Sequence, residues 1–355
     1  MIDAKRVAWA DILKVFAIVG VIVIHSSAPY LVEYEGSSSA WWAANLYDSV
    51  CRWCIPVFFM LSGTFLLEQV QKQSLRKFFL KRLKRICIPF FFWSAVYFFW
   101  RISVNHERIS FTDILRLFVK EPAYYHLWFI YTLIGLYFLS PIIGVYLKHA
   151  SKANIRGVML MWFVLGSFLP TIELLFGIET YLSIATPSFI FYYAGYFVLG
   201  YLLKNVYVSR KWLVFLITIF FIALFFTVYG TYILTVKVKN GVFTDVLYEY
   251  YSVNVLLMSI PVFLVFKSIS RPFIIIENSK AKPFFHSLAV SIPGIYLVHA
   301  IVVSFLKRGI LQFMVPDKGT DPWIAIPWFA SIVLSVSFGL IYVIRLIPGL
   351  RSMIP

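Results

Sequence analysis

The chain has 355 residues, 61% of them hydrophobic and only 14% charged, and its formal net charge is +16. Soluble globular domains carry about 25% charged residues, so the composition excludes an ordinary soluble protein and indicates a membrane protein. Membrane proteins concentrate Lys and Arg in their cytoplasmic loops. The positive charge therefore needs no nucleic-acid partner, and we expect none.

Ten segments are apolar over about the 20 residues that a helix needs to cross a bilayer. They lie near residues 11–31, 48–67, 86–104, 125–147, 156–176, 183–203, 211–233, 248–269, 285–306 and 324–347. The eighth contains Pro261, and the ninth is interrupted by Pro293 and Gly294. The sequence predicts an all-α polytopic membrane protein with about ten transmembrane helices in one bundle, forming a single domain over residues 1–355.

The distribution of basic residues predicts how the bundle is oriented. With the N-terminus in the cytoplasm, 21 of the 32 Lys and Arg residues fall in cytoplasmic segments, eight fall outside and three lie within spans. Cytoplasmic loops carry the excess of basic residues in membrane proteins. We therefore expect both termini, and the basic loop at residues 72–85, to lie in the cytoplasm.

The first apolar segment contains three ionisable residues, Asp11, Lys14 and His25. Ionisable groups within a membrane span are costly and usually mark a functional site. Lys14 and His25 are eleven residues apart, so they project from one helix face roughly 16 Å apart along the axis. Asp11 neighbours Lys14 on that face. The His25 side chain lies too deep to reach the membrane surface, and it shares its helix face with Asp11 and Lys14. We therefore predict that these three residues are catalytic.

A second group of polar residues is predicted to lie at the depth of His25, towards the outer face. His299 belongs to the ninth segment, whereas Arg52, His126 and Trp128 lie near the outer ends of two others. Such groups suit proton transfer and sugar binding, so we assign them to the acceptor or oxyanion region. Each of three residues also has a structural alternative that stays open. His299 could bond a backbone carbonyl of a neighbouring helix, and His126 could belong to the aromatic belt at the membrane interface. The Arg52 side chain could extend to the outer lipid headgroups.

The cytoplasmic loop before the third segment contains Arg82-x-x-Arg85. Residues at i and i+3 share a helix face, and paired guanidinium groups bind phosphates well. A phosphate-rich donor such as a CoA thioester fits this pair. The basic charge of the loop also has a purely topological explanation, which remains open.

The three cysteines predict neither a disulfide framework nor a metal site. Cys51-x-x-Cys54 has redox spacing, but it lies in an apolar segment without a second cysteine pair for zinc. We expect small apolar side chains that fill space, and no bound metal.

Six motifs follow one another along the chain. They are Asp11-x-x-Lys14-x10-His25, Ile55-Pro56-Val57-Phe58-Phe59-Met60-Leu61-Ser62-Gly63, Lys81-Arg82-x-x-Arg85 followed by Pro89, Tyr125-His126-Leu127-Trp128-Phe129, Gly195-Tyr196-Phe197-Val198-Leu199-Gly200-Tyr201 and Tyr296-Leu297-Val298-His299. In this order and spacing they resemble the acyltransferase 3 family of integral membrane acyltransferases, over nearly the whole chain. The chain looks most like the stand-alone O-acetyltransferases of bacterial surface polysaccharides, such as the type that modifies enterobacterial common antigen.

The resemblance implies a multi-pass protein of the bacterial cytoplasmic membrane. It implies cytoplasmic acyl-CoA, with acetyl-CoA expected, as co-substrate without any permanently bound cofactor. The acceptor is a hydroxyl of a surface glycan or its lipid-linked precursor. It also implies that His25 is essential and that Arg82 and Arg85 have a role. Many members have Arg where this chain has Lys14, and lysine keeps the charge but loses the bidentate fork.

The mechanism that joins these expectations places the CoA phosphates near Arg82, Arg85 and Lys14. His25 then takes a proton from a sugar hydroxyl as that hydroxyl attacks the thioester carbonyl. A nucleophilic His25 that forms an acyl-imidazole remains an alternative. Arg52, His126 or a backbone amide would stabilise the oxyanion, and the sequence does not choose among them.

The main functional alternative is transport of a glycan by a permease or flippase. Ten spans with intramembrane His and Arg would suit that role as well. The Arg82-x-x-Arg85 pair favours an enzyme, because a transporter has no use for CoA, and no inverted repeat is visible. A third alternative is that the protein is only a structural scaffold, but that role would not explain why His25 and Lys14 lie within a membrane span.

Overall fold

The computed structural model describes residues 8–33, 35–178, 180, 189–268, 280, 282–310 and 320–354. Within these ranges the protein is all-α, and its helices are named α1 to α13 in chain order. Their bounds are Ala8–Glu33, Ser39–Cys51, Cys54–Val70, Leu75–Ser103, Phe111–Lys120, Trp128–His149, Lys152–Phe163, Leu169–Phe176, Phe189–Leu203, Arg210–Tyr232, Val253–Ser268, Lys282–Phe305 and Pro322–Leu346. Three π-helical segments, Val164–Phe168, Ile233–Val238 and Leu306–Ile310, continue α7, α10 and α12.

Nine helical stretches in the described residues are long and apolar enough to cross a membrane. A shorter apolar helix, Ile190–Leu203, corresponds to the sixth predicted span. Residues 183–188 of that predicted span lie outside the described residues. The prediction of an all-α polytopic membrane protein is therefore confirmed, whereas the orientation of the bundle stays a prediction.

Two of the predicted segments begin too late. The sequence predicts the second at 48–67, but its helical stretch runs over Ser39–Val70, because Ser38 caps the start by accepting a hydrogen bond from the Trp41 N–H at 3.2 Å. It predicts the third at 86–104, but α4 begins at Leu75. Arg82 and Arg85, predicted to lie in a loop, are therefore on the first turns of a helix.

Proline does not interrupt α12, although Pro293 lies inside it. Proline removes one backbone N–H from a helix, and membrane helices tolerate this where neighbours satisfy the freed groups. The carbonyl that loses its partner is that of Ala289, four residues before Pro293. Close to it, Arg345 of α13 donates hydrogen bonds to the Val290 carbonyl and, at 3.1 Å, to the Ser291 hydroxyl. These two bonds link α12 to α13 in the turn before Pro293.

Three of the helical stretches that carry candidate residues lie at the centre of the bundle, whereas the stretches Leu75–Ser103 and Tyr125–His149 are each only 33% buried. The most apolar windows of α1, of α2–α3 and of the α12 stretch are 61%, 67% and 72% buried, against 22% for Arg210–Val238. Central helices are shielded from lipid by other helices, so polar side chains on them can be kept out of hydrocarbon.

Glycines bring α3 and α9 into close contact. A Cβ on Gly63 would lie 1.7 Å from the Phe197 carbonyl oxygen, and one on Gly200 would lie 1.8 Å from the Met60 carbonyl oxygen. The Thr64 hydroxyl donates a hydrogen bond across this contact to the Gly200 carbonyl at 2.9 Å. Small residues allow membrane helices to approach in this way, which explains the glycines of two of the motifs.

Candidate functional site

Three histidines from three different helices lie side by side and form the imidazole cluster: His25 of α1, His126 just before α6, and His299 of α12. The His25 and His299 rings stack with centroids 5.3 Å apart and planes at 25°. The His126 ring meets that of His299 edge-on at 5.0 Å. His299 therefore occupies the middle of the cluster.

The hydrogen bonding of the imidazole cluster is incomplete. His299 Nδ1 lies 2.7 Å from the Tyr296 carbonyl oxygen. Because a carbonyl only accepts, this nitrogen carries the hydrogen of the neutral ring and Nε2 holds the lone pair. The buried Nε2 of His299 and both buried ring nitrogens of His126 lack a hydrogen-bond partner within the described ranges. Buried polar atoms without partners are rare and costly, and they concentrate where a substrate or water is bound.

Tyrosines enclose the cluster. The Tyr97 ring lies 5.0 Å from the His126 ring, and its hydroxyl donates to the Leu297 carbonyl at 2.7 Å. The Tyr296 hydroxyl donates to the His126 backbone carbonyl. On the other side, the Tyr125 ring, which is 49% exposed, lies 4.9 Å from the His25 ring. The Tyr125 ring also lies 5.6 Å from the His126 ring, so this half-exposed tyrosine borders both histidines.

Arg52 forms a buried ion pair with Asp48, one helical turn earlier. Its Nη1 also donates to the Tyr248 carbonyl at 3.2 Å, and its guanidinium lies over the Tyr248 ring at 4.2 Å. The Ser27 hydroxyl of α1 donates to the other Asp48 oxygen at 3.3 Å. The structure therefore does not place Arg52 among lipid headgroups, because its charge is compensated inside the protein.

Trp128 lies beside Arg52 rather than in the imidazole cluster. Its ring stacks on that of Tyr250 at 5.8 Å, and the Arg52 guanidinium lies 5.6 Å from the same Tyr250 ring. The predicted acceptor residues thus fall into two groups. His126 and His299 contact His25 or each other, whereas Arg52 and Trp128 meet at Tyr250.

A cavity of about 470 Å³ lies between α1, α3, α4, α6 and α12, and is called the main cavity below. Four charged side chains line it: Asp11, Lys14, Arg82 and Arg85. Most of the other lining residues are apolar or aromatic. The structure therefore brings the predicted donor residues of two separate motifs to one cavity.

Three of the four charged residues of the main cavity already have side-chain partners. Lys14 Nζ lies 3.0 Å from an Asp11 carboxylate oxygen, as their i, i+3 spacing predicts. Arg82 donates a hydrogen bond to the side chain of Gln69, at the end of α3. Arg85 is exposed, and within the described residues the structure shows no ion pair for it or for Arg82. Among the cations at the cavity, these two guanidinium groups are the ones without a carboxylate partner in the part of the chain that the structure describes.

The main cavity and the imidazole cluster adjoin at Tyr296. Tyr296 lines the cavity, and its ring lies 5.5 Å from the His126 ring and 5.6 Å from the His299 ring. The three histidines, all within the described ranges, do not line the cavity. In the sequence, Tyr296 stands out only as part of the motif Tyr296-Leu297-Val298-His299. Its position between two sites depends on contacts with α6 that no local pattern indicates.

The described residues contain no group of three His, Cys, Asp or Glu side chains that could hold a metal ion. Cys54 is buried against Gly20 of α1, where an added Cβ would lie 3.1 Å from the Cys54 Cβ. This cysteine therefore fills space between α1 and α3.

A family model described as an acyltransferase domain, that of the acyltransferase 3 family, matches residues 7–345. This range includes every candidate residue named above. No curated protein and no solved structure gives a significant match.

Proposed function

The chain belongs to the acyltransferase 3 family, and from this membership and the two adjoining sites we propose that it is an acyl-CoA-dependent O-acyltransferase. It takes an acyl group, with acetyl expected, from cytoplasmic acyl-CoA. It transfers this group to a hydroxyl of a bacterial surface glycan or of its lipid-linked precursor, as in the enterobacterial common antigen type. The protein then resides in the bacterial cytoplasmic membrane.

The lining of the main cavity is the observation that best supports this proposal. Arg82 and Arg85 line it without a carboxylate partner in the described residues, and most of the remaining wall is apolar or aromatic. Charge-assisted hydrogen bonds from guanidinium groups suit the phosphates of CoA, while an apolar channel suits its pantetheine arm and acyl group. Lys14 adds a point charge that Asp11 partly neutralises, so we assign it a supporting part in donor binding.

The imidazole cluster supplies the chemistry of the proposed reaction. His25 accepts the proton of the acceptor hydroxyl, and the hydroxyl oxygen forms a bond to the thioester carbonyl carbon. The carbon–sulfur bond then breaks, and the CoA thiolate takes the proton from His25. Proton transfer by one positioned residue accelerates such a step by about 10² to 10⁴-fold. This step needs no metal and no oxidant.

We assign to His126 the stabilisation of the oxyanion that develops on the thioester carbonyl. Its two ring nitrogens are buried without a partner in the described part of the chain, whereas Arg52 is already bound to Asp48. A donor that is free and fixed in place stabilises developing charge most effectively. Trp128 and the neighbouring Tyr250 then offer stacked aromatic rings to a sugar on the outer side.

The test uses purified protein in lipid nanodiscs with radiolabelled acetyl-CoA and a lipid-linked glycan fraction. The proposal predicts stoichiometric release of free CoA and label on the glycan. Mass spectrometry of surface glycans from a deletion strain should show the loss of one acyl mass. Vesicles that move the glycan across the bilayer without consuming acetyl-CoA would contradict the proposal and favour a transporter.

A further inference from the structure

We infer that Tyr296 is a barrier between the main cavity and the imidazole cluster, and that its side chain must move before the acyl carbonyl can meet His25. This inference rests on the proposed function, because it assumes a thioester in the main cavity.

The position of Tyr296 is the first argument. Tyr296 lines the main cavity, and its ring also contacts the rings of both His126 and His299, neither of which lines the cavity. The residue is only 7% exposed, so its ring fills the space in which it lies. A thioester in the cavity and the imidazole cluster would therefore adjoin the same side chain.

The hydrogen bond of the Tyr296 hydroxyl is the second argument. It donates to the backbone carbonyl of His126, which belongs to a different helix. In a low-dielectric interior such a bond holds the ring in one orientation, because breaking it leaves two buried polar groups unpaired. The bond thus keeps the barrier closed while no acceptor is bound.

The backbone of α12 is suited to such a movement. Pro293, three residues before Tyr296, has no N–H, so one backbone hydrogen bond is missing in the preceding turn. Helices bend most readily at such positions. Displacement of Tyr296 therefore needs fewer backbone hydrogen bonds to be broken than displacement of a residue in an unbroken helix.

A closed barrier would protect the thioester from water. Active sites that exclude water until the acceptor is bound suppress hydrolysis of reactive groups. In the side reaction, water adds to the thioester carbonyl, the carbon–sulfur bond breaks and the CoA thiol leaves with the proton. The rate of this hydrolysis without acceptor therefore reports how often the barrier is open.

The experiment compares Tyr296→Phe with wild type for hydrolysis of acetyl-CoA in the absence of acceptor. The Phe ring fits the same space but cannot donate to the His126 carbonyl. A neutral hydrogen bond contributes about 0.5–1.5 kcal/mol, so hydrolysis should rise roughly 2- to 10-fold at unchanged affinity for acetyl-CoA. The matched control is Tyr97→Phe. Tyr97 donates a similar buried hydrogen bond to Leu297 beside the same cluster but does not line the main cavity, so this variant should not raise hydrolysis.

Thermal unfolding of both variants shows whether they lose similar stability. Equal hydrolysis in wild type and Tyr296→Phe, with glycan acylation intact in the wild type, would overturn the barrier and leave the proposed function standing. An equal rise in acetyl-CoA hydrolysis in Tyr296→Phe and Tyr97→Phe would also overturn the barrier. A general loosening of the packing around the imidazole cluster would then explain the hydrolysis. Wild-type protein that neither binds acetyl-CoA nor acylates a glycan would refute the proposed function and the barrier with it.

Discussion

The imidazole rings of His25 and His299 stack at 5.3 Å, although one comes from the first helix of the bundle and the other from the last but one. The stacking fixes both histidines at one depth. It also gives His25 a neighbour whose tautomer is set by the Tyr296 carbonyl, at 2.7 Å from Nδ1. His25 can be tested apart from the residues that line the main cavity, since none of the three histidines of the imidazole cluster lines it.

The first prediction concerns donor binding. Arg82→Ala and Arg85→Ala should each weaken acetyl-CoA binding by about 10- to 100-fold, because a hydrogen bond to a charged group contributes about 1.5–3 kcal/mol. Isothermal titration calorimetry with purified protein measures this directly. The matched controls are Lys81→Ala and Lys84→Ala, two exposed cations on the same helix that do not line the main cavity. Equal losses in all four variants would mean that only the overall charge matters.

The second prediction concerns the buried ion pair of Asp48 and Arg52. Asp48→Asn leaves the Arg52 charge buried without compensation, so the protein should lose about 3–5 kcal/mol of stability. Thermal unfolding in detergent measures the loss. The double variant Asp48→Asn/Arg52→Leu should recover part of it, because the uncompensated charge is then absent. A double variant less stable than Asp48→Asn alone would refute this explanation.

The third prediction concerns the contact of α3 with α9. Gly63→Ala should destabilise the protein by at least about 1–3 kcal/mol, since its Cβ would lie 1.7 Å from the Phe197 carbonyl oxygen and the helices would have to separate. Gly157→Ala is the control, because nothing lies within 4 Å of the added Cβ and alanine favours a helix. Unfolding temperatures that change equally in both variants would argue against close packing at Gly63.

The fourth prediction concerns orientation. The 21 to 8 distribution of basic residues predicts that the C-terminus and the 72–85 segment are cytoplasmic. Reporter fusions at these two places should give the cytoplasmic signal. A fusion after Lys120, between the third and fourth spans, should give the outer signal. The reverse result at any of these places would place the main cavity on the wrong side for cytoplasmic acyl-CoA.

Hydropathy alone predicted the helical membrane fold, because a bilayer-spanning helix needs a long apolar segment whatever its neighbours are. The shared cavity of Arg82 and Arg85 agrees with their i, i+3 spacing, which is a local property. The Asp48 partner of Arg52 is equally local, four residues earlier on the same helix face, and this spacing could have predicted the ion pair. The bond from Tyr296 to the His126 carbonyl joins distant parts of the chain, and no sequence pattern encodes it.

The central claim is that His25 is the proton acceptor in acyl transfer. His25→Gln keeps the size and hydrogen-bonding capacity of the side chain but cannot take up a proton. The control is His149→Gln, the same change at an exposed position near the end of α6.

The most direct measurement is the rate of acetyl transfer from acetyl-CoA to glycan by the two variants, at matched levels of folded protein. The account predicts that His25→Gln loses activity by about 10² to 10⁴-fold while still binding acetyl-CoA, and that His149→Gln acts like wild type. Acetyl groups that remain on wild-type protein after acid quench, and are lost in His25→Gln, would make His25 a nucleophile instead. Acetyl transfer by His25→Gln at close to the wild-type rate would contradict the account, and His25 would then be a structural residue.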